Sequence, residues 1–384
     1  MQKIQMVDLQ SQYQKIKTEV DKEIQKVMSE ASFINGTAVN EFQTNLENYL
    51  GVKHVIPCAN GTDALQIAMM ALDLQPGDEV ITSPFTFIAT AEVIALLKLK
   101  PVFVDVEWDT FNLDVSKIEA AITNKTKAIV PVHLFGQCVN METLMQIANK
   151  HRLSVIEDNA QAIGSDYTFT DGSKKKAGTI GHIGCTSFFP SKNLGGYGDG
   201  GAIFTNDDII AEQIRVIVNH GMKVRYYHDV IGVNSRLDSI QAAILKTKLD
   251  HLDQYIQERQ KAAAFYNNAF SNHPNIETPL TSDFTTHVFH QYTLKTKDIN
   301  RDDLHKYLLD KGIPNAIYYP VPLHLQKAFD GYGFKKGDYP VSEALCESVI
   351  SLPMHTELDE EQLGYICDGV AFFNITHPKP LSNI

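Results

Sequence analysis

Apolar residues recur at helical spacing over positions 11–30 and again over 38–50, where Gly51 supplies a stop. Beyond Gly51 the pattern changes to short runs that are apolar throughout: "HVIPCA", "DEVITSP", "KPVFVDV", "KAIVPVHL", "LSVIEDN", "CTSFFP" and "GGAIFTN". Stretches of helical period separate most of them, namely "GTDALQIAMMALDL", "TFIATAEVIALLKL" and segments near 116–122 and 140–151. A run without polar alternation is a strand buried on both faces. The series therefore predicts an α/β fold, a mostly parallel sheet with helices on each side. Residues 237–270 read as one continuous helix, long enough to connect two domains. After it come a strand ("FHQYTLKTK"), a helix ("NRDDLHKYLLDKG") and a helix leading into a strand ("EALCESVISLPMH"). This tail lacks the regular alternation and predicts a smaller α+β unit. The expected division is a large domain over 1–250 and a small C-terminal domain over 251–384.

The 384-residue chain is 43% hydrophobic and 21% charged, an ordinary globular composition. Its formal net charge of −12, without an extended basic run, argues against a nucleic-acid partner. The triplet Lys174–Lys176 in "DGSKKKAG" reads as a solvated turn. The polar N-terminus lacks the apolar core of a signal peptide, and no window approaches the ~18 apolar residues of a membrane span. Five scattered cysteines without a CxxC pair suggest reduced thiols and a cytoplasmic location.

In a parallel sheet, ligands bind at the carboxyl ends of strands, so the residues after each apolar run carry the chemistry. "ANGTDALQ" leaves a strand and opens a helix. Its Gly61, Thr62 and Asp63 can cradle a phosphate, although Thr62 or Asp63 could equally cap the helix. Neither GxxxxGK[ST] nor GxGxxG after a first strand occurs, which disfavours nucleoside triphosphatases and simple dinucleotide folds. In "VIEDNAQAIGS", Glu157 and Asp158 emerge at a strand end, with Gln161 one turn on. A metal there would need further ligands, and only His133 and His182 offer themselves. An acid facing a heteroaromatic N–H would instead keep that nitrogen protonated. "SFFPSKNLGGYGDGG" sets Lys192 among two phenylalanines, a proline and five glycines. Burial among Phe188, Phe189 and Pro190 would depress the amine pKa, and the glycines would let the backbone pass close to a cofactor. Phosphate cradle, ring-nitrogen partner and apolar lysine together describe a pyridoxal 5′-phosphate site.

The ordered set "NGTDAL", "TFIAT", "VIEDNAQ", "TSFFPSKNLGGYGDGGA", "HG", "GVNSRLDSIQAAIL" and "YPVPLHLQ" resembles the DegT–StrS family of pyridoxal-phosphate nucleotide-sugar aminotransferases, from about residue 5 to about 370. The resemblance implies fold type I, like aspartate aminotransferase, with a mostly parallel seven-stranded sheet in the large domain. It also implies a homodimer with active sites shared at the subunit interface. Lys192 would carry the cofactor, Asp158 would pair with its ring nitrogen, and Gln161 would reach its ring hydroxyl. Ser187 and Thr62 would hold the phosphate, and Phe87 would stack on the ring unless it is a core aromatic. Asn234 and Arg236 match residues that the partner subunit contributes, the first to the phosphate and the second to the sugar. Many relatives read His-Tyr-Pro where this chain has Tyr318-Tyr319-Pro320, at a position that faces the hexose. "RYYHDVIGVNSR" is most similar to the branch that aminates 3-keto hexoses linked to UDP or dTDP. By resemblance, then, L-glutamate would donate an amino group to a nucleotide-linked keto-hexose, at C3 rather than C4, for a surface polysaccharide such as lipopolysaccharide. Relatives that are pyridoxamine-phosphate dehydratases replace the lysine by histidine, whereas this chain keeps Lys192.

Overall fold

The computed structural model describes residues 3–376. Its centre is a seven-stranded sheet of β1 (His54–Cys58), β2 (Glu79–Thr82), β3 (Lys100–Phe103), β4 (Thr126–Ile129), β5 (Ser154–Asp158), β6 (Ile183–Ser187) and β7 (Gly201–Thr205), in the order β1-β7-β6-β5-β4-β2-β3. Pairing is parallel from β3 through β6, and β7 runs antiparallel to both of its neighbours. Apolar strands need cover on both faces. Ile56, Ile156, Ile183 and Ile203 pack under α3 (Gly61–Ala71) and the helix Asp208–Ile217. On the opposite face Val155 packs with Leu144 and Ala148 of the helix Met141–His151. There Val55, Ala202 and Phe204 meet Phe42 and Leu46 of α2 (Thr37–Leu50) and the helix Ser239–Asp250.

The stretch expected to be one helix over 237–270 is two, Ser239–Asp250 and Leu252–Phe270, broken at His251 (φ −100°, ψ −3°). The stretch serves two cores, and the change between them falls within the second helix, after Ile256. Leu245 and Leu249 face α2, whereas Ala262, Tyr266 and Phe270 face a three-stranded antiparallel sheet of Ile276–Glu277, Tyr292–Thr296 and Val349–Leu352. Ile4 joins that second core, so the N-terminal segment crosses the boundary drawn at residue 250. Lys174–Lys176 is not a solvated turn but one strand of a hairpin, paired with Asp166–Thr168. The segment near 116–122 is a 3₁₀ turn followed by one helical turn, Ile118–Ala121. Among the described residues, no helix is long and apolar enough to cross a membrane.

Gly201 pairs with Cys58 and Ser187, and a Cβ there would lie 2.4 Å from Asn60 O and 2.9 Å from Gly61 N. The obstacle is backbone, which cannot swing away. Gly201→Ala is therefore expected to lower the unfolding free energy by about 1–3 kcal/mol, the usual penalty for overpacking. Urea denaturation midpoints would measure the loss.

Candidate active site

A cavity of about 450 Å³ opens where β1, β2, β4, β5 and β6 reach their carboxyl ends. The structure brings Gly61, Thr62, Phe87, Asp158, Gln161, Ser187, Lys192, Tyr318 and Tyr319 to its walls. Side chains alternate along a strand. On β5, Val155 and Ile156 go to opposite cores, so Glu157 and Asp158 also diverge. Glu157 turns away from the cavity and accepts from His133 Nε2 (2.8 Å), Gly178 N (2.8 Å) and Ile180 N (2.6 Å), which ties β5 to a neighbouring loop. Asp158 faces the cavity. Thr90 Oγ1 donates to its Oδ2 at 2.6 Å and Ala160 N to its Oδ1 at 3.1 Å, so the carboxylate is fixed before any ligand arrives.

Gln161 is oriented in the same way. Phe135, held at φ 57°, donates its N–H to Gln161 Oε1 at 2.7 Å, which leaves Gln161 Nε2 to donate to Tyr319 OH at 3.2 Å. A bulky residue at positive φ is uncommon and marks a tightly determined turn. The Tyr319 ring meets Phe85 edge-on, and burial pushes its phenol pKa up, so the hydroxyl stays protonated.

At the opposite end, α3 starts against β6. Its cap is Asn60, whose Oδ1 accepts from Asp63 N at 2.8 Å, rather than Thr62 or Asp63. A Cβ on Gly61 would lie 2.6 Å from Ser187 Cβ, so glycine alone permits this approach. Thr62 and Ser187 thus offer two hydroxyls at a helix N-terminus, a setting that favours anions.

Lys192 reaches the cavity between these ends. Burial lowers its amine pKa to about 8, and the Asp158 carboxylate pulls in the opposite direction. The apolar surroundings differ from the expectation. Phe188 is in the core, edge-on to Phe42 at 5.4 Å, while Phe189 is 52% exposed at the cavity. The glycines of 195–201 also make room for the protein itself. Cβ atoms there would strike Pro190 O (from Gly195), the Gln241 side chain (from Gly196 and Gly198) and Asn60 O (from Gly201). Phe87 is 57% exposed and lines the cavity, whereas its neighbour Phe85 is fully buried.

Three expected site residues do not line this chain's cavity. Asp63 has its N–H engaged by the cap, Asn234 is exposed, and Arg236 is half-buried. Sequence reasoning missed Thr90, Asp199, His290 and Gln291. Thr90 lies in the first turn of the helix Ala89–Leu96, which opens two residues after Phe87. His290 lies in what read as an ordinary strand, and nothing local distinguishes it.

The donor set fits pyridoxal 5′-phosphate. Hydroxyls at a helix N-terminus suit the phosphate dianion, an anchored carboxylate suits the ring N–H, and a desolvated amine suits the carbonyl carbon. Known proteins agree. Residues 14–371 match the DegT/DnrJ/EryC1/StrS aminotransferase family. The chain is 47% identical to a Geobacillus stearothermophilus protein named "Pleiotropic regulatory protein", covering 96% of this chain and 98% of that one. It is 46% identical to the UDP-2-acetamido-2-deoxy-3-oxo-D-glucuronate aminotransferase of Pseudomonas aeruginosa, over 95% and 98% of the two chains. A crystal structure of a family member from Brucella abortus superposes with a TM-score of 0.91 at 42% identity, over 96% and 99% of the chains. That of NtdA from Bacillus subtilis, with bound cofactor PMP, gives 0.86 at 31% identity, over 97% and 83%. With nearly the whole chain matched and its relatives covered almost end to end, this protein belongs to the DegT/DnrJ/EryC1/StrS aminotransferase family, and its cofactor is pyridoxal phosphate.

Proposed function

We propose that the enzyme transfers the amino group of L-glutamate to the C3 keto group of a nucleotide-linked hexose, yielding 2-oxoglutarate and a 3-amino sugar for a surface glycan. The observation that carries this reading is a single cavity holding Lys192 and Asp158 at the carboxyl ends of the sheet, beside a phosphate cradle. When bound, pyridoxal phosphate supplies the carbonyl that takes up the amino group and the ring that accepts electron density. Lys192 serves as the attachment point and, once freed, as the base that carries the proton. Asp158, fixed by Thr90 and Ala160, holds the ring nitrogen protonated. Thr62 and Ser187 anchor the phosphate, Phe87 covers the ring, and Tyr318 lines the side where a sugar would enter. The P. aeruginosa relative is named for a 3-oxo sugar, which supports C3 over C4. Five free, buried cysteines suit the cytoplasm.

A regulatory role without catalysis is the second reading, favoured by the name of the Geobacillus relative. The anchored Asp158 and desolvated Lys192 count against it, because a chain relieved of chemistry gains nothing from burying an amine. Cofactor content of the freshly purified protein separates the two, since a regulator without catalysis should hold far less than one cofactor per chain.

We further assign the working unit to a homodimer with shared sites. Asn234 and Arg236 stay out of their own chain's cavity. The adjoining hairpin exposes Val224, Tyr226, Tyr227, Val230 and Ile231, an apolar surface suited to cover by a second copy.

Lys192→Ala is expected to abolish the borohydride-reducible visible band and to cut glutamate turnover roughly 10²–10⁴-fold. Retention of both would sink the assignment of Lys192. Acceptance at C3 is checked by the position of the new amine in the product, read by NMR, and a 4-amino product would favour the C4 alternative. The pH dependence follows from the lowered lysine pKa. Covalent uptake of pyridoxal phosphate by cofactor-free protein should rise roughly tenfold per pH unit at low pH and level off above about 8, where the amine is neutral. A rate still climbing past pH 10 would mean an ordinary solvated lysine. Finally, mixed Lys192→Ala and Arg236→Ala subunits should recover about a quarter of wild-type activity, since random pairing makes half of the dimers mixed, each with one intact site. Verified subunit exchange without recovery would rule out the shared site.

A further inference from the structure

The segment 288–291 passes beside Lys192 and is held from three directions. Asn193 Nδ2, next in sequence to the lysine, donates to Val288 O at 2.9 Å. Val288 N and Gln291 N donate to Gly136 O (2.8 Å) and Phe135 O (3.4 Å), on the turn that orients Gln161. Arg259 Nη1 donates to Phe289 O (3.1 Å) and, at longer range, to His290 O (3.4 Å). The His290 imidazole is therefore carried on a fixed backbone into the cavity wall, where it is 6% exposed.

That imidazole has almost nothing to bond. Among the described residues its Nδ1 has no partner, and its Nε2 has only Gln291 Nε2 at 3.5 Å. A buried polar atom left unpaired costs free energy comparable to a lost hydrogen bond, so such atoms call for an explanation. The charged groups facing the ring are the cations Lys192 and Arg259, with Asp158 acting on Lys192 from beyond it. Burial first, then Lys192 and Arg259, push the imidazole pKa well below its ordinary value, so the ring is neutral and one nitrogen keeps a lone pair, which meets no donor nearer than Gln291 Nε2 at 3.5 Å. Across from it, Lys192 Nζ has no hydrogen-bond partner among the described residues, although its backbone N–H is bound to Phe189 O. The two side chains line the same cavity, and the Lys192 charge acts on the ring.

We propose that His290 is a positioning residue that accepts a hydrogen bond from Lys192 Nζ whenever that amine is free. The proposal rests on the aminotransferase reading for its purpose but not for its test. During transamination the lysine is released and must return a proton to a defined atom, and a lysine side chain freed in a cavity has many rotamers. Tethering Nζ to a wall held by Asn193, Phe135 and Arg259 keeps the amine over the reacting centre. A hydrogen bond accepted from the charged form also moderates the desolvation of Lys192.

The test is a titration of Lys192 in cofactor-free protein, by pH-dependent acetylation with acetic anhydride and peptide mass spectrometry. Wild type should show a midpoint near 8. His290→Phe and His290→Leu, which remove the acceptor, should lower it by about one pH unit, because the ammonium form loses a charge-assisted hydrogen bond. At least one of His290→Asn and His290→Gln, which retain an acceptor near one ring nitrogen or the other, should restore it. In cofactor-loaded protein the apolar variants should slow the single-turnover glutamate half-reaction about tenfold with KM for glutamate unchanged. As a measurement that needs no His290 variant to fold, Lys192→Ala should shift the ¹⁵N resonances of the His290 ring. A lysine midpoint unmoved by the apolar variants, failure of both amides to restore it, or ring resonances indifferent to Lys192→Ala would each overturn the proposal. If wild type neither retains pyridoxal phosphate nor turns over glutamate, the aminotransferase reading fails instead, and the titration still reads the His290–Lys192 contact.

Discussion

The site depends on how closely the start of α3 lies against the ends of β6 and β7. Two Cβ atoms are missing at that junction, those of Gly61 and Gly201, and a methyl at either would collide at 2.6 Å or less. The contact decides what the helix terminus faces. With Asn60 spent on the Asp63 N–H, the first turn opens toward Thr62 and Ser187 rather than toward solvent. The positive end of the helix dipole is thereby directed into a partly enclosed space, where its effect on an anion is screened less than at a free surface. The cradle is thus a consequence of sheet packing, and it exists before a phosphate arrives.

The rest of the site balances two opposed effects on one amine. Removing Lys192 from water disfavours its charge, and the Asp158 carboxylate favours it. Burial wins, leaving the amine pKa near 8 rather than at an ordinary lysine value. The balance requires that Asp158 be unable to swing across and pair with the lysine. Thr90 and the backbone of Ala160 prevent this by occupying both carboxylate oxygens. The same economy recurs at Gln161, whose amide is committed at one end to Phe135 so that the other end faces Tyr319. The reactive groups are therefore held by neighbours that are not themselves reactive, which is what preorganisation of a site requires.

Chemistry that shares the cavity is assembled from segments far apart in the chain. Tyr318 and Tyr319 come from beyond the three-stranded sheet's middle strand, and His290 from its approach. Asp105 links this region to the large sheet by accepting from Val341 N and Ser342 N, both at 2.9 Å. Arg259 does the same from the second of the two helices, through Phe289, His290 and Met354 carbonyls. Movement between the parts of the chain would thus change the cavity wall itself.

The sequence by itself determined the class of fold and the chemical core of the site. Runs apolar on both faces can be satisfied only by a sheet covered twice, and the residues that end such runs must meet at one edge. That is why Asp158, Thr62 and Lys192 stood out as candidates from the pattern, whereas Ser187 came only from the family resemblance. Tertiary structure decided the rest. Phe85 and Phe87 are two residues apart in "PFTF", yet one is sealed in the core and the other lies open to the cavity, because the segment is a loop and not a strand. No glycine or proline announces the break at His251. The glycines after Lys192 also give clearance for Pro190, Gln241 and Asn60, which the sequence did not indicate. Periodicity reports whether a residue is covered. It is silent on what covers it, and His290, a buried histidine in an apolar strand pattern, gives no sign in sequence that it shares a cavity wall with Lys192.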